Sequence, residues 1–200
     1  MACQPVAVPD PHNRGLDVNH TLNEEQLRQV APGIFYTSRP FVLVDTRIVE
    51  FLKAEAKKSG TRRARLCAHP EPASPQHDML IVSLAGTYVA PHRHLAKTES
   101  FLIVEGVAEI ALFDEQGAVT DVVTMGESGS GKPFFYRMPA GQFHSLRVLS
   151  DALVFVESTI GPFRREESED APWAPPPTEE RAGLAYLARM IEGFGKAREA

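Results

Sequence analysis

The strongest constraint on this chain is its hydrophobic period between residues 64 and 158. About nine short apolar runs follow one another there, near 64–68, 79–84, 88–92, 100–105, 108–113, 119–125, 134–138, 144–148 and 152–157. Turn residues divide them: Ala85-Gly86, Glu105-Gly106, Asp114-Glu115-Gln116-Gly117, Ala140-Gly141 and Ser150-Asp151. Many short strands at close spacing predict a sandwich or a barrel, and the pattern alone does not choose between them. Sixteen prolines and fourteen glycines suit such a turn-rich body.

The flanks read differently. Residues 1–20 carry no apolar period and read as a loose tail. Thr21-Leu22-Asn23-Glu24 has a capping-box pattern that predicts a short helix backed by Leu22, Leu27 and Val30. Asp45 or Thr46 caps a clearer helix, whose Ile48, Phe51, Leu52 and Ala56 share one face and whose end lies near Gly60. After Gly161-Pro162-Phe163 comes an acidic, proline-rich linker. A last helix is predicted from about Thr178, with Leu184, Leu187, Ala188 and Ile191 as its apolar stripe, packing on the β body. This divides the chain into an N-terminal tail and helical extension (1–60), a barrel (61–160), and a linker with a C-terminal helix (161–200).

The charge balance narrows the function. Lys plus Arg is 21 and Asp plus Glu is 26, a net charge of −5, whereas a nucleic-acid partner calls for a basic face. No stretch approaches the ~20 apolar residues of a membrane span. The first residues lack a basic segment followed by an apolar one, so no signal peptide is expected. Only Cys3 and Cys67 are present, which favours a reducing compartment, and the cytoplasm is the expected location. A small-molecule ligand is the expected partner. No residue argues for an oligomeric state, and the prevalence of twofold oligomers makes a homodimer the default.

The chemistry is concentrated in the histidines. His92-Arg93-His94 places two imidazoles on one face of a strand, because residues i and i+2 point the same way. Glu99 follows five residues later, and His144 opens a distant strand after the turn residues Pro139-Ala140-Gly141. Neutral imidazoles beside a carboxylate form a ligand set for a divalent transition metal. With 7 histidines in the chain, chance alone gives about 0.25 His-x-His pairs, so the spacing carries little without its surroundings.

Those surroundings resemble a known superfamily. Gly86-(x5)-His92-x-His94-(x4)-Glu99-(x6)-Gly106 matches the first cupin motif at every position, and Pro139-x-Gly141-x-x-His144 matches the core of the second. The resemblance implies a mainly β cupin-type double-stranded β-helix, a jelly-roll barrel with flanking helices. It also implies that His92, His94, Glu99 and His144 hold one metal ion: Fe, Mn, Ni, Cu or Zn. Two departures stand outside the ligands. The glycine usual six residues before the second motif's proline is Pro133 here, with Gly131 two positions early, and the asparagine often four residues after its histidine is Val148.

A narrower resemblance covers roughly residues 60–175, judged from motif matches. Arg62-Arg63-Ala64-Arg65-Leu66-Cys67-Ala68-His69 precedes the barrel motifs, and Glu157-Ser158-Thr159-Ile160-Gly161-Pro162-Phe163 with Ala171-Pro172-Trp173-Ala174-Pro175 follows them. This order is similar to the WbuC family of cupin-fold metalloproteins, which is associated with bacterial O-antigen and surface-polysaccharide gene clusters.

Further residues are weighed beside these. Gly126 to Lys132 resembles a phosphate-binding loop, but Pro133 stands where a hydroxyl is required and a strand follows. Cys67 reads as a small buried strand residue. Tyr136, His69 and Arg65 are candidates for the substrate pocket. Arg65, Lys97 and Arg147 could bind an anion, although a solvated surface role is the ordinary expectation for each. The site is open to two functions. One is a metal-dependent enzyme, an isomerase or oxygenase, acting on a small polar metabolite such as a sugar or nucleotide-sugar. The other is a non-catalytic, metal-dependent binding or regulatory module. A purely structural metal is the weaker third, since a body of this size needs no staple. No residue stands out as a general acid or base.

Overall fold

The computed structural model describes residues 21–199, and the expected tail at 1–20, with Cys3, lies outside them. Two β-sheets face each other, with a helix on the outer face of each. The first sheet has seven strands in the order β1 (Leu27–Ala31), β2 (Ile34–Thr37), β3 (Arg63–Cys67), β4 (Gln76–Leu84), β11 (Ala152–Ile160), β6 (Glu99–Glu105) and β9 (Phe135–Met138). The second has five, in the order β12 (Ser168–Asp170), β5 (His92–His94), β10 (Phe143–Val148), β7 (Val107–Phe113) and β8 (Val119–Gly126). This is the cupin-type jelly roll that the motifs imply. Gly106 (φ +92°) turns the chain from β6 in one sheet to β7 in the other. A Cβ there would lie 2.3 Å from the Ala152 carbonyl oxygen, so only glycine fits the corner.

The burial is layered. Helix α1 (Thr46–Lys58), capped by the Asp45 side chain, lays Ile48, Leu52 and Ala56 on the outer face of the seven-stranded sheet. There they meet Phe35, Ala64, Leu66, Val82 and Val154. Between the sheets lies a second core that includes Ile81, Phe101, Ile103, Leu146, Leu153 and Phe155. Helix α2 (Glu180–Glu199) covers the five-stranded sheet, with Leu187 and Ile191 buried against Phe113, Phe143 and Tyr88. Burying each Leu, Ile or Phe contributes about 1.5–3 kcal/mol, so both helices are held by their apolar stripes. Strands such as β4 are thus covered on both faces, which is why their sequences run apolar rather than strictly alternating.

Two expectations fail locally. The helix expected from Thr21 is a single 3-10 turn at Glu24–Gln26 followed by strand β1. Asn23 is the cap: its side chain accepts from Gln26 N–H, and the Gln26 side chain accepts from Asn23 N–H. The next residues pair with β2 instead of continuing the helix, and Val30 is exposed. The strand expected at 88–92 begins only at His92. Pro91 has no N–H to give a ladder, and its carbonyl accepts from Ala171 N–H. Residues Tyr88, Val89 and Ala90 are buried without being in a strand. Among the described residues, no helix is long and apolar enough to cross a membrane.

Candidate metal centre

His92 and His94 project from β5 into the space between the sheets, as the strand period requires. His144 on β10 sits directly opposite His92 in the ladder. The turn before His144 is tied to the same place, because Gly141 N–H donates to the His94 carbonyl at 2.8 Å. Glu99, at the start of β6 in the other sheet, reaches across the gap to His94 and His144. The three histidines offer ring nitrogens that all lie within 4.8 Å of one another, close enough to hold one metal ion.

The hydrogen bonds fix how these rings are presented. His92 Nδ1 lies 2.9 Å from the Ala90 carbonyl, and His144 Nδ1 lies 2.9 Å from the Gln142 carbonyl. A carbonyl only accepts, so both Nδ1 atoms carry the proton. In the neutral form of each ring the lone pair is then on Nε2, turned to the centre. His94 Nδ1 is 3.0 Å from Ser168 Oγ on β12. Glu99 lies against the same nitrogens, with Oε2 at 3.1 Å from His94 Nε2 and Oε1 at 3.2 Å from His144 Nε2. A neutral His144 would set a lone pair against that carboxylate. Either the ring is an imidazolium or a cation occupies the centre. Neighbouring ligands of one ion with bonds of about 2.1 Å stand ~3 Å apart at right angles, which matches the two Glu99 contacts at 3.1 and 3.2 Å. The residues present therefore fit a divalent ion.

Charges at the site follow from burial and these contacts. Burial pushes His92 down to about 4, helped by the neighbouring His144. Burial alone would raise Glu99, but hydrogen bonds from His144, His94 and Tyr136 outweigh it and hold the carboxyl well below its ordinary range. His144 is raised because its bond to Glu99 outweighs burial. Tyr136 donates its hydroxyl to Glu99 Oε1 at 2.7 Å and stacks on Phe101, and burial beside that carboxylate raises its pKa well above 10.

The cavity above the histidines is about 160 Å³. Arg65, His94 and Glu157 also line a neighbouring, larger space of about 530 Å³, together with Tyr36, Cys67, His69, His77 and Lys97. Of the three expected pocket residues, Tyr136 lines the smaller cavity, His69 the larger, and Arg65 both. His69 stacks on His77 with ring centres 4.0 Å apart. The expectation of a solvated surface role fails for Arg65 and Lys97. Lys97 is 6% exposed, and Arg65 Nε is buried without a hydrogen-bond partner. Arg147 lies outside both spaces, half-buried and paired with Glu109 on the second sheet. Cys67 is free and buried, as expected. Gly126 ends β8, and Glu127 to Lys132 lie in the loop that follows it toward β9.

Two residues of the cavity were not anticipated. Arg63 shares the inward face of β3 with Arg65, and Glu157 reaches in from β11. Burial and the charge of Glu99 raise the Glu157 carboxyl, against the lowering effect of Arg63, His94 and Arg65. The alternation Arg63-Ala64-Arg65-Leu66-Cys67 marked two faces of a strand, but not which of them looks into the barrel.

Comparisons with known proteins give a family model and several structures. The model of a domain of unknown function, DUF6016, matches residues 44–125, less than half of the chain. That span holds His92, His94 and Glu99 and stops short of His144. None of the curated proteins matches. The capsular polysaccharide assembling protein CapF from Staphylococcus aureus is 20% identical over 49% of this chain and 27% of its own, with a TM-score of 0.41. Oxalate decarboxylase from Bacillus subtilis is 18% identical over 54% of this chain and 27% of its own, with a TM-score of 0.43. A Shewanella oneidensis protein is 16% identical over 52% of this chain and 66% of its own, with a TM-score of 0.41. The match spans less than a third of the CapF and oxalate decarboxylase chains. At these values the likenesses carry nothing about chemistry.

Proposed function

We propose that this chain is a metal-dependent enzyme acting on a small polar metabolite in the cavity between its two sheets. The observation that carries the reading is the convergence of three imidazoles, two of which are fixed by backbone carbonyls with Nε2 turned inward. His92, His94 and His144 would hold the ion, with Glu99 as the fourth ligand. Fe, Mn, Ni, Cu and Zn all accept such a set. A bound divalent ion supplies positive charge to polarise a substrate oxygen.

The chain's own groups do the rest. Tyr136 orients Glu99 by donating to Oε1, and Ser168 orients His94. Phe101, Phe155 and Leu146 keep the floor apolar. Glu157 lines the same cavity and, with its carboxyl raised, is placed to hold or give a proton at its oxygen atoms. The similarity of the sequence to the WbuC family supports sugars or nucleotide-sugars of surface-polysaccharide metabolism as the metabolite class. The reading also takes the chain to act as a homodimer in the cytoplasm.

The test is turnover of a sugar and nucleotide-sugar panel, followed by NMR, with the metal-loaded protein and with His92→Ala. Conversion by the former and its loss in the latter supports the reading. Full turnover by metal-free His92→Ala overturns it. Saturable binding of an unchanged ligand with no conversion replaces the enzyme with a binding module.

A further inference from the structure

The two guanidinium groups of β3 have no counterpart in the metal reading. Arg63 and Arg65 lie two residues apart on one strand face, and both line the cavity that also holds His92, His94, Glu99 and His144. Among the described residues, neither forms an ion pair within 4.0 Å or a hydrogen bond from its guanidinium to an oxygen, whereas other arginines, such as Arg93 and Arg147, do. Arg65 Nε is fully buried with no partner at all. Ser83, opposite Arg63 in the ladder between β3 and β4, likewise has a buried Oγ without a partner. Buried donors left unmade cost about 1–3 kcal/mol each, more when charged. Arg65 Nε and the Ser83 hydroxyl are thus buried donors without a partner beside a second guanidinium, and a bound oxyanion would satisfy them.

We infer that Arg63 and Arg65 form an oxyanion clamp: the substrate carries a carboxylate or phosphate that they grip, while another oxygen of the same molecule faces the three histidines. This rests on the proposed metal site for the second contact and on the arginines alone for the first. The geometry suits it. Guanidinium groups are planar forks that bind carboxylate or phosphate oxygens in pairs, and this strength grows in a water-poor cavity. Glu157 shares the cavity but lies beyond 4.0 Å of both guanidinium groups, so it does not occupy their donors. The neighbouring space of about 530 Å³, which Arg65 also lines, adds Arg28 and Lys97, so an anion meets further positive charge there. The 160 Å³ at the floor admits a small group, and the rest of the molecule extends toward His69 and His77.

The test is thermal unfolding of the full chain with inorganic phosphate, malonate or glycerol, at constant ionic strength set by chloride. A ligand that binds only the folded state raises Tm saturably. The inference expects a saturable rise with phosphate or malonate and none with glycerol. The responding anion tells a phosphate ester from a carboxylate. Arg63→Gln and Arg65→Gln each weaken that response at least about tenfold, and Arg65→Lys, which keeps the charge but loses the fork, weakens it too. If neither anion raises Tm saturably, or if the Gln variants respond like the wild type, the clamp is wrong. Zinc binding by equilibrium dialysis runs alongside. Zinc retained by Arg65→Gln supports a separate role for the arginine. If the wild type binds an anion through the arginines but no zinc, the clamp stands and the metal reading falls.

Discussion

Ser168→Ala isolates one device of the site. His92 and His144 are oriented by backbone carbonyls that no substitution removes, but His94 is oriented by a hydroxyl. Ser168 reaches His94 because β12 pairs with β5 at the same position, Ser168 opposite His94. Alanine deletes one oxygen and leaves that backbone pairing in place. Losing the partner of a metal-bound imidazole costs about 10–100-fold in metal affinity, which is roughly 1.4–2.7 kcal/mol. The assay is competition for Zn²⁺ against a coloured chelator with wild type, Ser168→Ala and Ser168→Thr, the last keeping the hydroxyl. Urea midpoints of the metal-free forms check that the fold is unharmed. An affinity in Ser168→Ala within about twofold of wild type, below the range for such partners, refutes the reasoning. So does an equal loss in Ser168→Thr with an intact fold.

Other substitutions follow from single contacts. Tyr136→Phe removes a 2.7 Å bond to the Glu99 carboxylate, so the metal-free protein loses about 1.5–3 kcal/mol in urea unfolding. Gly106→Ala forces a Cβ to 2.3 Å from the Ala152 carbonyl at φ +92°, and a drop of about 1–3 kcal/mol is expected, read as a lower Tm. His92, lowered to about 4, binds its proton more weakly folded than unfolded, so its contribution to metal-free stability is present above about 6.5 and is lost as pH falls through about 4. His144, raised, runs the other way: its contribution is full below about 6.5 and is lost as pH rises through its folded value. His92→Gln should therefore flatten the fall in urea midpoint between pH 6.5 and 4, and an unchanged slope contradicts the assignment.

Much of this was legible because it rests on local geometry. The strand period puts His92 and His94 on one face, and the Pro139-Ala140-Gly141 turn sets His144 at the head of its strand. Asp45 is a good cap, and the α1 stripe is regular, so that helix was plain. What escaped was decided by tertiary packing. In β3 the apolar residues Ala64 and Leu66 are not the barrel side. They face α1, which turns the charged residues Arg63 and Arg65 inward. Alternation alone reads a charged face as solvated, and only the covering helix reverses it. Glu157 was hidden for a similar reason, since a carboxylate in a strand is rarely buried unless a site needs it. The helix expected from Thr21 gave way to strand β1 because those residues pair with β2, a long-range contact, and Pro91 delayed the start of β5.

The most direct test of the metal centre is elemental analysis of the untagged protein purified without chelator, beside His92→Ala. The account expects about one Fe, Mn, Ni, Cu or Zn per chain in the wild type and its loss in the variant, with the fold retained. No metal in either protein, even after reconstitution, would contradict it and leave the histidines as a buried imidazolium–carboxylate cluster.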